Sequence, residues 1–249
     1  MALLVIAPAA SEELVRLPTR PGVTQAFWLM APEGPPKAAV ILFTGNEGVL
    51  NSANNAELRS SNFLLRSRAK FAAHGLLVAS VDAPSDHAAG MAQEFRASAE
   101  HAQDIAAVIA NLRARAAVPV WLIGTSQGTV SAASVAARLK SGGADGLVLT
   151  STIVATSRRS WPVASLVDLG AVTLPTIIVH NRDDACVVCP FAAAQALPPL
   201  FTHARNVRFI AVSGGSPPQS DPCEALSRHG YIGIEDEVVD DIVTALAVN

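Results

Sequence analysis

Gly124-Thr125-Ser126-Gln127-Gly128 is the stretch of this sequence whose residue types and spacing promise the most chemistry. It follows Trp121-Leu122-Ile123, which reads as the end of a buried strand. It precedes Thr129, Ser131, Ala132, Ala133, Ser134, Ala136 and Ala137, small residues that let a helix pack closely on a sheet. A turn this tight strains the serine backbone, and side chains at the two glycine positions would collide with neighbouring backbone. The serine Oγ is thereby pushed out above the carboxyl end of the sheet, toward which the helix directs its positive end. The chemistry on offer is nucleophilic attack by Ser126. A Gly-x-Ser-x-Gly pattern standing in a loop would be an ordinary turn; the flanking strand and helix argue against that here.

The elements that must position such a serine are legible as alternating apolar runs and longer helical stretches. The runs are Ala38–Phe43, Leu76–Val81, 118–123, 146–149, 176–179 and Val207–Val212. Most are continuously apolar, as expected of parallel strands buried on both faces. Between them lie helical patterns over 62–74, 94–115, 127–140 and 190–197. Strands separated by helices imply right-handed crossovers and a doubly wound α/β sheet. Residues 15–17 and 25–30, separated by Pro18, Pro21 and Gly22, read as an opening antiparallel hairpin. After Gly233, the apolar residues Ile234, Val238, Val239, Ile242 and Leu246 recur at helical spacing. Glu235, Asp236 and Glu237 sit in that helix's first turn, where its dipole favours negative charge. No Pro/Gly/Ser-rich linker divides the chain, so residues 11–249 read as one domain.

The segment Gly124 to Gly128, the acid loop Val179-His180-Asn181-Arg182-Asp183-Asp184 and the stretch His229-Gly230-Tyr231-Ile232-Gly233-Ile234-Glu235 together resemble the α/β-hydrolase superfamily. The likeness runs from about Val40 onward, through order and spacing more than residue identity. It implies an eight-stranded, mostly parallel sheet and chemistry that cleaves esters or amides, without specifying a substrate. A serine hydroxyl needs a base to take its proton, and this fold orders its members Ser, then Asp or Glu, then His. His203 and His229 follow a candidate acid. His203 precedes the 207–212 strand and so sits at the wrong edge of the sheet, whereas His229 returns to the catalytic edge, which selects it. His74 and His101 read as structural or solvated, His180 as packed beside the acid loop, and His87 as lining the pocket mouth. For the acid, the family pattern of strand, His, Gly, two residues, Asp puts Asn181 at the glycine and Asp184 at the acid. Asn is tolerable at that glycine because it visits left-handed conformations. Asp183 is then the exposed neighbour, paired with Arg182, and Asp168 is a second alternative for the acid.

Acyl transfer also needs donors aimed at the oxygen that becomes negative. The resemblance implies the backbone N–H of Gln127 and one from the loop Phe43-Thr44-Gly45-Asn46-Glu47-Gly48, assigned to Asn46; a plain strand-to-helix connection fits that glycine loop as well. Residues 151–175 leave room for one short helix, so little or no cap is expected. The open site is then shaped by 47–61, made polar by Asn51, Ser52, Asn54 and Asn55, and by 83–95. That polarity argues mildly against a lipase.

Three cysteines complete the set. Cys186 lies two residues beyond Asp184 and Cys223 six before His229, so a fold that joins the triad brings those loops together. A Cys186–Cys223 disulfide is expected, with Cys189 as the alternative partner and free thiols as the other possibility. No second Cys/His pair follows at finger spacing, which disfavours zinc. Residues 1–10 end in Ala7-Pro8-Ala9 like a secretory cleavage site but lack a charged start; a signal remnant and a frayed terminus fit equally. With the disulfide, this favours a periplasmic or secreted protein over a cytoplasmic one. The charge is −3 without basic blocks, which excludes a nucleic-acid surface, and no apolar run approaches a membrane span. The expected reading is a serine esterase acting on a small-molecule acyl substrate, with no cofactor or metal. Peptidase or acyltransferase chemistry with the same triad, or a binding protein on this fold, are the alternatives. Oligomeric state is not legible.

Overall fold

The computed structural model describes residues 12–50, 60–140 and 142–246. The terminal segment 1–10 and Asn51, Ser52, Asn54 and Asn55 lie outside the described residues. Eight strands form one sheet: β1 (Glu12–Arg20), β2 (Val23–Met30), β3 (Ala38–Phe43), β4 (Leu76–Val81), β5 (Val120–Thr125), β6 (Gly146–Thr150), β7 (Thr176–Asn181) and β8 (Val207–Val212). Their spatial order is β1-β2-β4-β3-β5-β6-β7-β8. β2 pairs antiparallel with both β1 and β4, and every other pairing is parallel. The helices are α1 (Phe63–Arg66), α2 (Arg68–Ala73), α3 (Gln93–Arg96), α4 (Ala99–Arg115), α5 (Gly128–Arg138), α6 (Val163–Leu166), α7 (Phe191–Ala194) and α8 (Glu235–Leu246).

The period-2 alternation of side chains explains why β3 and β5 are continuously apolar. Ala39, Ile41, Phe43 and Leu122 face α4 and α5, where Ile105, Val108, Ile109, Val130 and Val135 join one core. Val40, Leu42, Trp121 and Ile123 face the other way, into a core with Phe63, Phe71, Val238, Val239 and Ile242 from α1, α2 and α8. Both faces are covered, so the middle positions of β3 and β5 are apolar on both sides.

Several boundaries differ from the sequence reading. The helical pattern over 62–74 breaks at Ser67 into α1 and α2. That over 94–115 breaks into α3 and α4 because Ser98 takes an extended conformation and its side chain accepts from the His101 N–H as an N-cap. A serine offers the backbone this alternative partner, which a hydrophobic pattern alone does not register. β1 runs through Pro18 to Arg20, with its register shifting between them. Proline is tolerated because β1 is the edge strand, where a missing N–H breaks no ladder. Between β6 and β7 there is only α6 and a 3-10 turn at Leu169–Ala171, so no cap is inserted there over the carboxyl edge among the described residues.

Register decides which loops meet. Phe43 pairs with Gly124, Thr125 with Thr150, Thr150 with Val179, and Asn181 with Val212. The loops leaving β3, β5, β6, β7 and β8 therefore emerge side by side along one edge.

His101 on α4 is fully buried between Phe43 and Phe95, and neither ring nitrogen has a hydrogen-bond partner. Burial first, then the charge of Arg96, pushes its pKa down from 6.5 to about 3. Between those values the unfolded chain takes up a proton that the folded chain refuses, so stability falls as pH drops from about 6.5 toward about 3. Denaturant melts at about pH 7 and about pH 4.5 should show His101→Leu losing less stability than the native chain, by roughly 2 kcal/mol. An equal loss in both proteins removes His101 from the account.

Candidate active site

Ser126 sits between β5 and α5 with a left-handed backbone, φ +53°. Side chains on the flanking glycines would not fit: a Cβ on Gly124 would stand 2.4 Å from the Gly128 carbonyl oxygen, and one on Gly128 2.0 Å from that of Phe43. The turn is tied down at both ends of the serine. Its N–H donates to the Thr150 carbonyl at 3.1 Å, and its carbonyl accepts from the Thr129 N–H at 2.9 Å.

Asp184 follows β7, and each oxygen of its buried carboxylate has a hydrogen-bond partner. Oδ1 accepts from the Cys186 N–H at 2.8 Å, and Oδ2 lies 2.9 Å from His229 Nδ1. That contact places the imidazole proton on Nδ1 and leaves Nε2, buried and without a hydrogen bond, as the basic nitrogen. His229 is held from several sides. Its N–H donates to Ser227 Oγ, and its carbonyl accepts from Ser151 Oγ at 2.7 Å. Ser151 directly follows Thr150, the acceptor of the Ser126 N–H, so serine turn and histidine turn are anchored to the same end of β6.

The remaining candidates are placed as follows. His180 is buried; its Nε2 lies 2.7 Å from the Cys189 carbonyl, and burial lowers its pKa, so the ring stays neutral and donates there. His203 contacts the Gly170 carbonyl through Nδ1, and His74 pairs with Asp240. His87 stacks on Phe95 at 3.6 Å between centroids and is not among the side chains lining the cleft beside Asn46. Asp168 caps the 3-10 turn through Gly170 N–H and is spent there. Asp183 accepts from the Gly214 N–H, while Arg182 lies over the Phe191 ring, so the expected Arg182–Asp183 pair does not form. Asn181 ends β7 without a left-handed backbone. Its place at the family's glycine position has a different reason from the one the sequence suggested. Its amide donates to the carbonyls of Gly214 and Arg228, joining the acid loop to the loop that carries His229.

Two backbone amides of the loops after β3 and β5 stand at this edge. Gln127 occupies the N-cap position of α5, and Asn46 takes φ +48° in the loop after β3. No described residue accepts a hydrogen bond from either N–H. A Cβ on Gly45 would come within 3.1 Å of Ser126 Cβ, which measures how closely this loop approaches the serine. The loop borders a polar cleft of about 190 Å³ whose walls include Glu47, Asn62 and Glu224.

Cys186 and Cys223 are joined in a disulfide, with Cys189 a buried free thiol. Cys186, Cys189 and His229 offer ligand atoms within 4.8 Å of one another, but the Cys186 sulfur is already bonded and is no thiolate for a metal. Sequence reasoning missed Tyr231 and Arg66. The Tyr231 hydroxyl donates to the Val179 carbonyl at 2.9 Å and accepts from the Ser151 N–H at 3.0 Å. Arg66 reaches the carbonyls of Gly230 and Ala225 and pairs with Glu235 at 2.8 Å. That Tyr231 is the only tyrosine in the chain, two residues after His229, was the available signal; Arg66 gave none.

Similar folds come from esterases and serine hydrolases. Est1E from Butyrivibrio proteoclasticus superposes with a TM-score of 0.62 at 13% identity, over 94% of this chain and 97% of that one. The esterase Pf2001 of Pyrococcus furiosus does so with 0.66 at 13% identity, over 96% and 91%. An α/β serine hydrolase without lid from Xanthomonas campestris gives 0.59 at 14% identity, over 97% and 93%. This chain has the α/β-hydrolase fold. No family model matches the chain, and no curated protein does. Within the α/β-hydrolase fold, the Ser126 turn, the Asp184 loop and the His229 loop follow β5, β7 and β8 in turn.

The disulfide closes a loop of 37 residues between the acid and histidine strands. Constraining the unfolded chain over such a loop is worth about 4 kcal/mol in the chain-entropy account. Cys223→Ser should therefore lower unfolding stability by up to about 4 kcal/mol, and denatured, unreduced native protein should take up one alkylating group, at Cys189. Three alkylated cysteines would mean that the bridge does not form.

Proposed function

We propose that this protein is a serine hydrolase that cleaves a carboxylic ester of a small substrate through an acyl-enzyme. The observation that carries the reading is the buried hydrogen bond between His229 Nδ1 and Asp184, on the same sheet edge that carries Ser126 with its left-handed backbone. His229 Nε2 takes the Ser126 proton as Oγ bonds to the acyl carbon, and Asp184 stabilises the imidazolium. The carbonyl oxygen, now negative, accepts hydrogen bonds from the Gln127 and Asn46 N–H groups. As the tetrahedral intermediate collapses, His229 returns the proton to the departing alcohol. Water then repeats the sequence on the acyl-enzyme, releasing the acid and restoring Ser126.

His229 Nε2 has no hydrogen-bond partner, and contacts between a nucleophile and its base commonly tighten only when substrate binds. The esterases among the fold neighbours support the ester reading. The absence of a cap between β6 and β7 supports a small substrate admitted directly from solvent. The Cys186–Cys223 bridge supports a periplasmic or secreted setting, since cytosolic thiols are kept reduced.

A fluorophosphonate probe should label the native protein once, at Ser126, and Ser126→Ala should abolish both labelling and turnover of activated esters. Asp184→Asn should keep the fold and lose about 10⁴-fold in kcat, because the imidazole then adopts the wrong tautomer. Folded native protein that neither labels nor hydrolyses any ester would instead make the chain a binding protein on this fold. Labelling with amide turnover exceeding ester turnover would make it a peptidase.

A further inference from the structure

Arg96 ends α3 and is 1% exposed, the largest fully buried side chain among the described residues. No described carboxylate lies within salt-bridge reach of it. Burial lowers its pKa to about 10 even though the charge of Glu47 pulls the other way, so the guanidinium remains charged at neutral pH. A buried cation without a counter-ion is costly unless its donors are satisfied. Arg96 satisfies them on the loop after β3 and on α5. Nη2 donates to the Asn46 carbonyl at 2.9 Å and Nη1 to that of Thr44 at 3.4 Å. Nη1 also donates to Ser131 Oγ at 3.1 Å, and Nε to the Met91 carbonyl at 3.4 Å.

The pattern of these bonds has a specific geometric effect. The Thr44 and Asn46 carbonyls belong to the peptides on either side of the Gly45–Asn46 peptide. The carbonyl of that middle peptide accepts from the Gly48 N–H at 3.1 Å, closing a tight turn. With both neighbouring planes clamped and its own oxygen engaged, the middle peptide keeps a fixed orientation, and its N–H is the group left over. Space for the clamp comes from Gly48. Its φ is +73°, and a Cβ there would stand 2.5 Å from Arg96 Nη2 and 2.6 Å from Met91 Cε. Ser131 lies on the helix that begins just after Ser126, so one guanidinium ties the loop to the element carrying the nucleophile.

We propose that Arg96 is a positioning residue that holds the Asn46 N–H in the oxyanion hole, relative to Ser126, through the Thr44 and Asn46 carbonyls. The planar, five-donor fork suits two carbonyls and a hydroxyl at once, which a lysine cannot match. This assignment rests on the serine-hydrolase reading above.

Two variants test it. Arg96→Lys keeps the charge and loses the fork; Gly48→Ala keeps the arginine and displaces its head. Both are measured with active sites counted by fluorophosphonate titration, so that misfolded protein does not enter kcat. The expected result for each folded variant is a fall in kcat of about 10- to 100-fold, below the loss from deleting a donor outright, with KM within about twofold. Affinity for a trifluoromethyl ketone, whose adduct with Ser126 carries an oxyanion, should fall in parallel. If kcat per titrated site and ketone affinity stay within twofold of native while only melting temperature drops, Arg96 merely supports the fold and the proposal is overturned. Should Arg96→Lys fail to fold, Gly48→Ala decides by the same criteria. If native protein neither labels nor turns over esters, the hydrolase reading itself fails and this assignment falls with it; native activity with unaffected variants sinks only the assignment.

Discussion

One buried hydrogen bond, between the Asp184 carboxylate and His229 Nδ1, is the contact on which the organisation of this sheet edge depends. A carboxylate removed from water must have its lone pairs met by donors. Here the donors are an imidazole from the loop after β8 and the backbone of Cys186. The two loops could not supply these partners without the parallel pairing of β7 with β8, which sets Asn181 opposite Val212 and starts both loops at the same level. The disulfide and the Asn181 amide add further ties between the same two loops.

The rest of the edge is built from loops without ladders of their own, so side chains take over the task of positioning. Ser151 and Tyr231 tie the histidine turn to the ends of β6 and β7, Arg66 ties it to α1, and Arg96 binds the loop after β3 to α5. The non-glycine residues with left-handed backbone among the described residues are Asn46, Ser126, Ser151 and Tyr231. All four belong to this edge. Each such conformation costs on the order of 1–3 kcal/mol and persists only where surrounding bonds over-determine it. The dense bracing and the strain therefore belong together. The core supplies a rigid frame, and the edge holds backbone in conformations that the frame makes tolerable.

Legibility followed the range of the interactions concerned. The strands were readable because burial on both faces leaves an unbroken apolar run, as in Val40, Ile41 and Leu42. Ser126 was readable because the steric demands of its turn fall on Gly124 and Gly128, two residues away. Helix breaks at Ser67 and Ser98 were not, since each depends on a local backbone choice that hydrophobic periodicity does not encode. Asn181 illustrates the harder kind of miss. Its position was right and its reason wrong, because its partners at Gly214 and Arg228 lie 33 and 47 residues away.

The sequence by itself determined the α/β class, the order of the candidate serine, aspartate and histidine along the chain, and which serine could stand in a strained turn. These follow from local sterics and from hydrophobic periodicity, both of which act over a few residues. Only the tertiary structure decided that Asp184 rather than Asp183 or Asp168 meets His229, that His180 stays neutral beside them, and that Arg66 braces the His229 loop while Arg96 braces the loop after β3. Those outcomes are set by register across parallel strands, and register is a property of the assembled sheet.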